Sequence, residues 1–250
     1  MVIGGGPVGV ALAQRTRADG LSVVIVEKEL LGGECDYWAC VPSKARLRPV
    51  VAIADARRVE GARKAVEGPL DAPSVFARRD GFAFHWHDDQ NADFVKGMGA
   101  EVARGHRRLE GPGRVAVETH NDGLVVVFAQ HALAVCTGSR AGLPDLPGIA
   151  EVRPRISRDA TSASTVPERL AIVGGGVGTE MASAYQGLGA SVTLLVLGEG
   201  LLPRMEPFVE QLVARALAEA GVDVRMGVTV TALSRLEGTG PVTLLPSSPS

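Results

Sequence analysis

Two cysteines, Cys35 and Cys40, lie in the stretch GGECDYWACVPSKAR (32–46), which opens on a Gly pair and runs into Val41-Pro42-Ser43-Lys44. Thiols at this spacing can close a small disulfide loop, ligate a metal, or simply pack. The chain has three cysteines in 250 residues. That is too few for a disulfide scaffold, and a close pair in a reducing compartment points to metal binding or redox chemistry. Pro42 suits the first turn of a helix that Cys40 would begin. A thiolate at a helix N-terminus beside a cation can fall from ~8.5 into the ~3.5 to 7.5 range, which makes it a competent nucleophile in exchange.

The other candidates for chemistry are weaker. Cys136 ends the apolar strand 132–135 and reads as a buried, inert thiol. His85-Trp86-His87-Asp88-Asp89 offers ligand types, but the two histidines fall on opposite faces of an extended segment and no Cys or His cluster completes a metal site. The segment reads as a solvated or substrate-side loop.

The elements that must position the cysteines begin at the N-terminus. Val2-Ile3, then Gly4-Gly5-Gly6-Pro7-Val8-Gly9, an Ala-rich helical stretch and Ser22 to Val26 ending on Glu27 make a βαβ unit. Gly4, Gly6 and Gly9 fill the G-x-G-x-x-G spacing, which allows a tight turn, close approach of backbone to a pyrophosphate and tight helix packing. The helix N-terminus then faces the phosphates. Glu27, at the end of the second strand, is placed to accept hydrogen bonds from a ribose diol. Only Met1 precedes Val2, so the first strand is expected to continue upstream.

The pattern recurs after a Pro-rich connector, as Leu170 to Val173, Gly174-Gly-Gly176-Val-Gly178, a helix and Ser191 to Val196. Gly174, Gly176 and Gly178 read G-x-G-x-G, one residue short of the first copy. Val196 and Leu197 stand where Glu27 stands in the first copy, and Glu199 and Arg204 are off register. Two dinucleotide units in one chain predict two nucleotides, a flavin and a nicotinamide that reduces it.

Composition narrows the partners. A net charge of −2 with scattered basic residues gives no footprint for nucleic acid or an anionic membrane surface, and 46% hydrophobic residues support a substantial core. No apolar run approaches the ~18 residues of a membrane span and no secretory leader is visible, so a cytoplasmic protein is expected.

A flavin-type βαβ unit followed by GGECDYWACVPSK resembles the class I pyridine nucleotide-disulfide oxidoreductases, the family of dihydrolipoamide dehydrogenase, glutathione reductase and mercuric reductase. The resemblance covers residues 1–235. It implies an α/β fold of two Rossmann-like units: an FAD-binding domain over 1–150, a connector over 151–165, an NAD(P)-binding domain over 166–235 and a disordered tail over 236–250. It further implies that FAD and NAD(P)H are the cofactors, with Cys40 facing the flavin, Cys35 as the outer exchanging thiol, and the two forming a redox disulfide. Lys44 would sit near the flavin and pair with Glu180. Gly33, Gly105 and Thr137-Gly138-Ser139 would contact FAD.

The acceptor implied is a small-molecule or protein disulfide. The family homodimerises through a later domain carrying a His-Glu acid-base pair, which this sequence is expected to lack. The expected function is therefore FAD-dependent, NAD(P)H-linked disulfide reduction with impaired turnover, the alternative being a nucleotide-binding protein or thiol redox sensor without catalysis.

Overall fold

The computed structural model describes residues 1–119, 123–235 and 240–247. The helices and strands run β1 (Val2–Ile3), α1 (Pro7–Ala18), β2 (Val24–Glu27), α2 (Gly33–Tyr37), α3 (Cys40–Arg58), α4 (Ala72–Phe82), α5 (Asp89–Gly97), β3 (Glu101–Leu109), β4 (Arg114–Thr119), β5 (Leu124–Phe128) and β6 (Ala134–Val135). They continue as α6 (Ile149–Val152), α7 (Ser157–Ser162), β7 (Arg169–Val173), α8 (Val177–Gly187), β8 (Ser191–Leu195), α9 (Pro207–Glu219), β9 (Asp223–Arg225), β10 (Thr229–Arg235) and β11 (Val242–Ser247). Two compact units result, one from Met1–Val41 with Asp80–Arg140 and the other from Pro42–Arg79 with Ala141–Ser250.

The first unit is built on a six-stranded sheet ordered β5-β4-β3-β2-β1-β6. Strands β3, β2, β1 and β6 run parallel, and β4 and β5 extend the sheet antiparallel beyond β3. Period-2 alternation sends Val2 and Ile25 to one face, where they pack with Ala13, Leu31 and Val95, and Ile3 and Val26 to the other, with Val115 and Val117. Both faces are covered, as a parallel sheet requires.

In the second unit the parallel sheet is β7-β8-β9, with Met181, Ala182 and Tyr185 of α8 packed on Val192 and Leu194 of β8. The α/β class and the two strand–glycine–helix–strand units expected from the sequence are both present. The Ser/Pro-rich stretch near the C-terminus departs from expectation. Residues 242–247 are not tail but β11, antiparallel to β10, with Leu244 packed beside Val230 and Leu233. Thr243, Leu244 and Leu245 supply the β-propensity that Pro246 and the serines mask. The rest of that stretch, 236–239 and 248–250, lies outside the described residues. Within the connector, 157–162 forms α7.

Candidate active site

In the first unit, α1 starts at Pro7 directly after Gly6. Gly4 has φ +103°, and a Cβ there would overlap the Cys136 carbonyl; a Cβ on Gly9 would overlap the carbonyl of Gly4. A Cβ on Gly33, the first residue of α2, would lie 2.9 Å from Gly6 Cα. Backbone therefore meets backbone around the α1 N-terminus without intervening side chains, the cradle a pyrophosphate needs. Glu27 is buried, and its Oε2 and Oε1 accept from the amides of Gly5 at 2.6 Å and Glu29 at 2.8 Å. Each carboxylate oxygen keeps further acceptor capacity for a ribose hydroxyl. These residues fit a dinucleotide such as FAD.

The amide of Cys136 donates to the Ile3 carbonyl at 2.7 Å, which fixes the exposed Thr137-Gly138-Ser139 loop at the carboxyl end of the parallel strands, with Gly138 at φ +67°. Ligands of doubly wound sheets bind along that edge. Cys136 itself is half-buried and packs at the margin of the core. Gly105 lies inside β3 opposite Thr119 rather than in a turn. A Cβ there would overlap the Glu118 carbonyl, so the approach of β4 alone accounts for glycine at this position.

Cys35 lies in α2 and Cys40 begins α3; neither sits in a disulfide, and Cys40 is exposed and Cys35 half-buried. The Cys35 thiol is pushed up to about 11, first by burial, then by its side-chain hydrogen bond to Cys40 and by the charges of Cys40 and Asp36. Cys35 lies in α2, outside the N-terminus of α3, and stands next to an acid, Asp36.

Asp88, Asn91 and Arg104 hold the dithiol segment. Asp88 Oδ2 accepts from the Leu31 amide and pairs with Arg104, both at 2.6 Å, and Arg104 also donates to the Glu29 carbonyl at 2.9 Å. Asn91 Nδ2 donates to the Leu31 carbonyl at 2.7 Å, to Asp36 Oδ2 at 3.0 Å and to the Tyr37 hydroxyl at 3.2 Å. Instead of being a solvated loop, the segment after His87 anchors the turn that leads from Glu27 into α2. His85 and His87 are exposed, and no cluster of metal-ligand side chains occurs among the described residues.

In the second unit, Lys44 Nζ donates to Glu180 Oε1 at 2.8 Å and Oε2 at 3.0 Å. The shortened glycine motif does not prevent this. Gly176 takes φ +60°, Thr179 N donates to Gly176 O at 3.1 Å, and Gly178 N donates to Gly175 O at 3.1 Å. This tightened first turn absorbs the missing residue. Two residues after Lys44, the buried Arg46 guanidinium donates to the carbonyls of Ala160, Thr161 and Ala163 and lies 5.2 Å from the Phe76 ring and 5.1 Å from that of Tyr185. Arg79 donates to two of the same carbonyls.

Gly174, Gly175 and Gly176 line a cleft of about 480 Å³ together with Leu197 and Arg204, within the range of ~300 to 1,000 Å³ usual for ligand sites. Arg204 is the charged side chain on this lining. Glu210 accepts at 3.0 Å from the amide of Leu201, itself one of the cleft's lining residues.

Paired strand–glycine–helix–strand units with a dithiol beside the first define a two-nucleotide redox protein. Residues 1–245 match the family model described as pyridine nucleotide-disulphide oxidoreductase, and the chain belongs to that family. Its members are FAD-containing, NAD(P)H-dependent oxidoreductases. The chain is 33% identical over 257 residues to the dihydrolipoyl dehydrogenase of Chlorobaculum tepidum, covering 97% of this chain and 54% of that one. It is 26% identical over 232 residues to the mercuric reductase of Staphylococcus aureus, covering 92% and 41%. In fold it is similar to the HOCl-induced flavoprotein disulfide reductase RclA from Escherichia coli, with a TM-score of 0.77 and 23% identity over 98% of this chain and 52% of that one. The chain spans about half the length of these proteins. No helix among the described residues is long and apolar enough to cross a membrane.

Proposed function

We propose that the chain acts as an FAD-dependent, NAD(P)H-linked disulfide oxidoreductase, with Cys35 and Cys40 as the exchanging dithiol. The observation that carries this reading is the hydrogen bond between two thiols within the unit that holds the dinucleotide cradle. Gly4, Gly6, Gly9 and Gly33 would admit the pyrophosphate of FAD, Glu27 its ribose, and Thr137 to Ser139 its far side. FAD, when bound, supplies the two-electron relay between a nicotinamide and the dithiol.

Cys35, as thiolate, attacks one sulfur of the acceptor disulfide and releases the other as a thiol. Cys40 then displaces the acceptor from the mixed disulfide, leaving Cys35–Cys40 oxidised and the acceptor reduced to two thiols. Turnover by this chain alone is slow, because a thiol at about 11 is almost wholly protonated at neutral pH. Arg204 on the second cleft favours a coenzyme with a 2′-phosphate, so NADPH binds ahead of NADH.

The test is a steady-state assay with FAD, NADPH or NADH and a panel of disulfides. Slow NADPH-dependent disulfide reduction that disappears in Cys40→Ser is expected; the same rate in Cys40→Ser would overturn the reading. The exposure of Cys40 favours a second reading, a thiol redox sensor. It would show reversible Cys35–Cys40 oxidation in protein that retains no flavin.

A further inference from the structure

Three consecutive residues that are not glycine, Phe84, His85 and Trp86, have φ of 52°, 52° and 65°. Such residues rarely adopt left-handed backbone, and it persists only where the surroundings over-determine it. The turn is closed by Trp86 N to Ala83 O at 2.9 Å and His87 N to Phe84 O at 3.1 Å, and Trp86 Nε1 donates to Asp80 at 3.2 Å. Tyr37, fully buried, donates its hydroxyl proton to the His87 carbonyl at 3.0 Å and sets its ring 6.5 Å from that of Phe84.

Tyr37 stands two residues after Cys35 and three before Cys40. The segment joining the thiols is therefore tied at its midpoint to a turn held in one conformation. Asn91, donating to both Tyr37 and Asp36, fixes the same midpoint from α5. A short loop closes readily only when its ends are already held together, and a central anchor removes the freedom that would separate them.

We propose that Tyr37 is a positioning residue for the dithiol, its hydroxyl bond to the strained turn holding Cys35 and Cys40 in the geometry from which the disulfide closes. This rests on the reading of the pair as a redox dithiol. Equilibrating the full chain with oxidised and reduced glutathione tests it. One glutathione disulfide oxidises the two protein thiols to the Cys35–Cys40 disulfide and leaves as two glutathione thiols carrying both protons. Tyr37→Phe keeps the ring and removes only the hydroxyl. Its equilibrium constant for the protein disulfide is expected to fall about three- to tenfold, the worth of one net hydrogen bond.

Asn91→Ala, which leaves Tyr37 in place, is expected to move the constant the same way by about two- to threefold. A purely structural role would lower the urea midpoint of Tyr37→Phe and leave the glutathione constant alone; constants within about twofold of wild type in both variants would overturn the proposal. Absence of any Cys35–Cys40 disulfide in the wild-type chain would instead sink the redox-dithiol reading on which the proposal stands.

Discussion

Lys44 on α3 and Glu180 on α8 are 136 residues apart in sequence and meet with Nζ 2.8 and 3.0 Å from the two carboxylate oxygens. The pair is 62% and 34% exposed, so its value to stability is small, about 0–1 kcal/mol. Glu180→Gln should accordingly leave the urea midpoint nearly unchanged. If the pair serves the chemistry, Glu180→Gln should slow reduction of added FAD by NADPH by about tenfold, about 1.4 kcal/mol of barrier. Stopped-flow absorbance of the flavin measures this, and an unaltered rate would count against a role for the pair in chemistry.

The Cys35 thiol provides a pH signature. Folding raises it from an ordinary 9.0 to about 11, so the folded state favours the protonated thiol. Its contribution to stability is complete below pH 9 and is lost as pH rises through 11. Tyr37, raised to about 12 chiefly by burial, adds a loss of the same sign just above. Urea denaturation from pH 8 to 11 should show stability falling in the wild type and falling less in Cys35→Ser. Alkylation of Cys35 in the folded protein should still be accelerating at pH 10.

Removing the Glu27 carboxylate leaves the amides of Gly5 and Glu29 without their acceptors in a buried site. Glu27→Ala should lose about 1–3 kcal/mol of stability and a similar amount of FAD affinity. Parallel thermal melts and flavin titrations would show both, while Glu199→Ala, on an exposed loop, should change neither.

Arg46 is fully buried and donates to three main-chain carbonyls. Arg46→Met, similar in volume, removes three charged hydrogen bonds but leaves the carbonyls their donors from Arg79 and Tyr185, and should lower the unfolding free energy by about 1–3 kcal/mol. Arg46→Lys should not restore it, since one ammonium cannot reproduce the planar fork. Urea midpoints of the two variants decide the point.

Much of this architecture is legible in the residues. Glycine spacing after a short apolar run marks both βαβ units, and the Cys35 to Lys44 stretch marks a redox segment. The support around that stretch is not legible, because Asp88, Asn91 and Arg104 reach back across 57 to 75 residues to make their bonds. Burial of Arg46 and Arg79 is not legible either, since it depends on partners that only the tertiary fold brings close. The left-handed turn at 84–86 contains none of the Gly or Asn that usually announce positive φ.

The two units are discontinuous, each assembled from two stretches of chain that alternate along the sequence. During synthesis β1 gains β6 only after residue 135 has emerged, and Arg46 waits for the Ala160 carbonyl through 114 further residues. At ordinary ribosomal speed that wait is roughly ten seconds. For that interval a nascent chain carries α3 without its acceptors, open to chaperones and proteases. A cut near residue 141 would not release the second unit, because its first stretch would remain attached to the other piece.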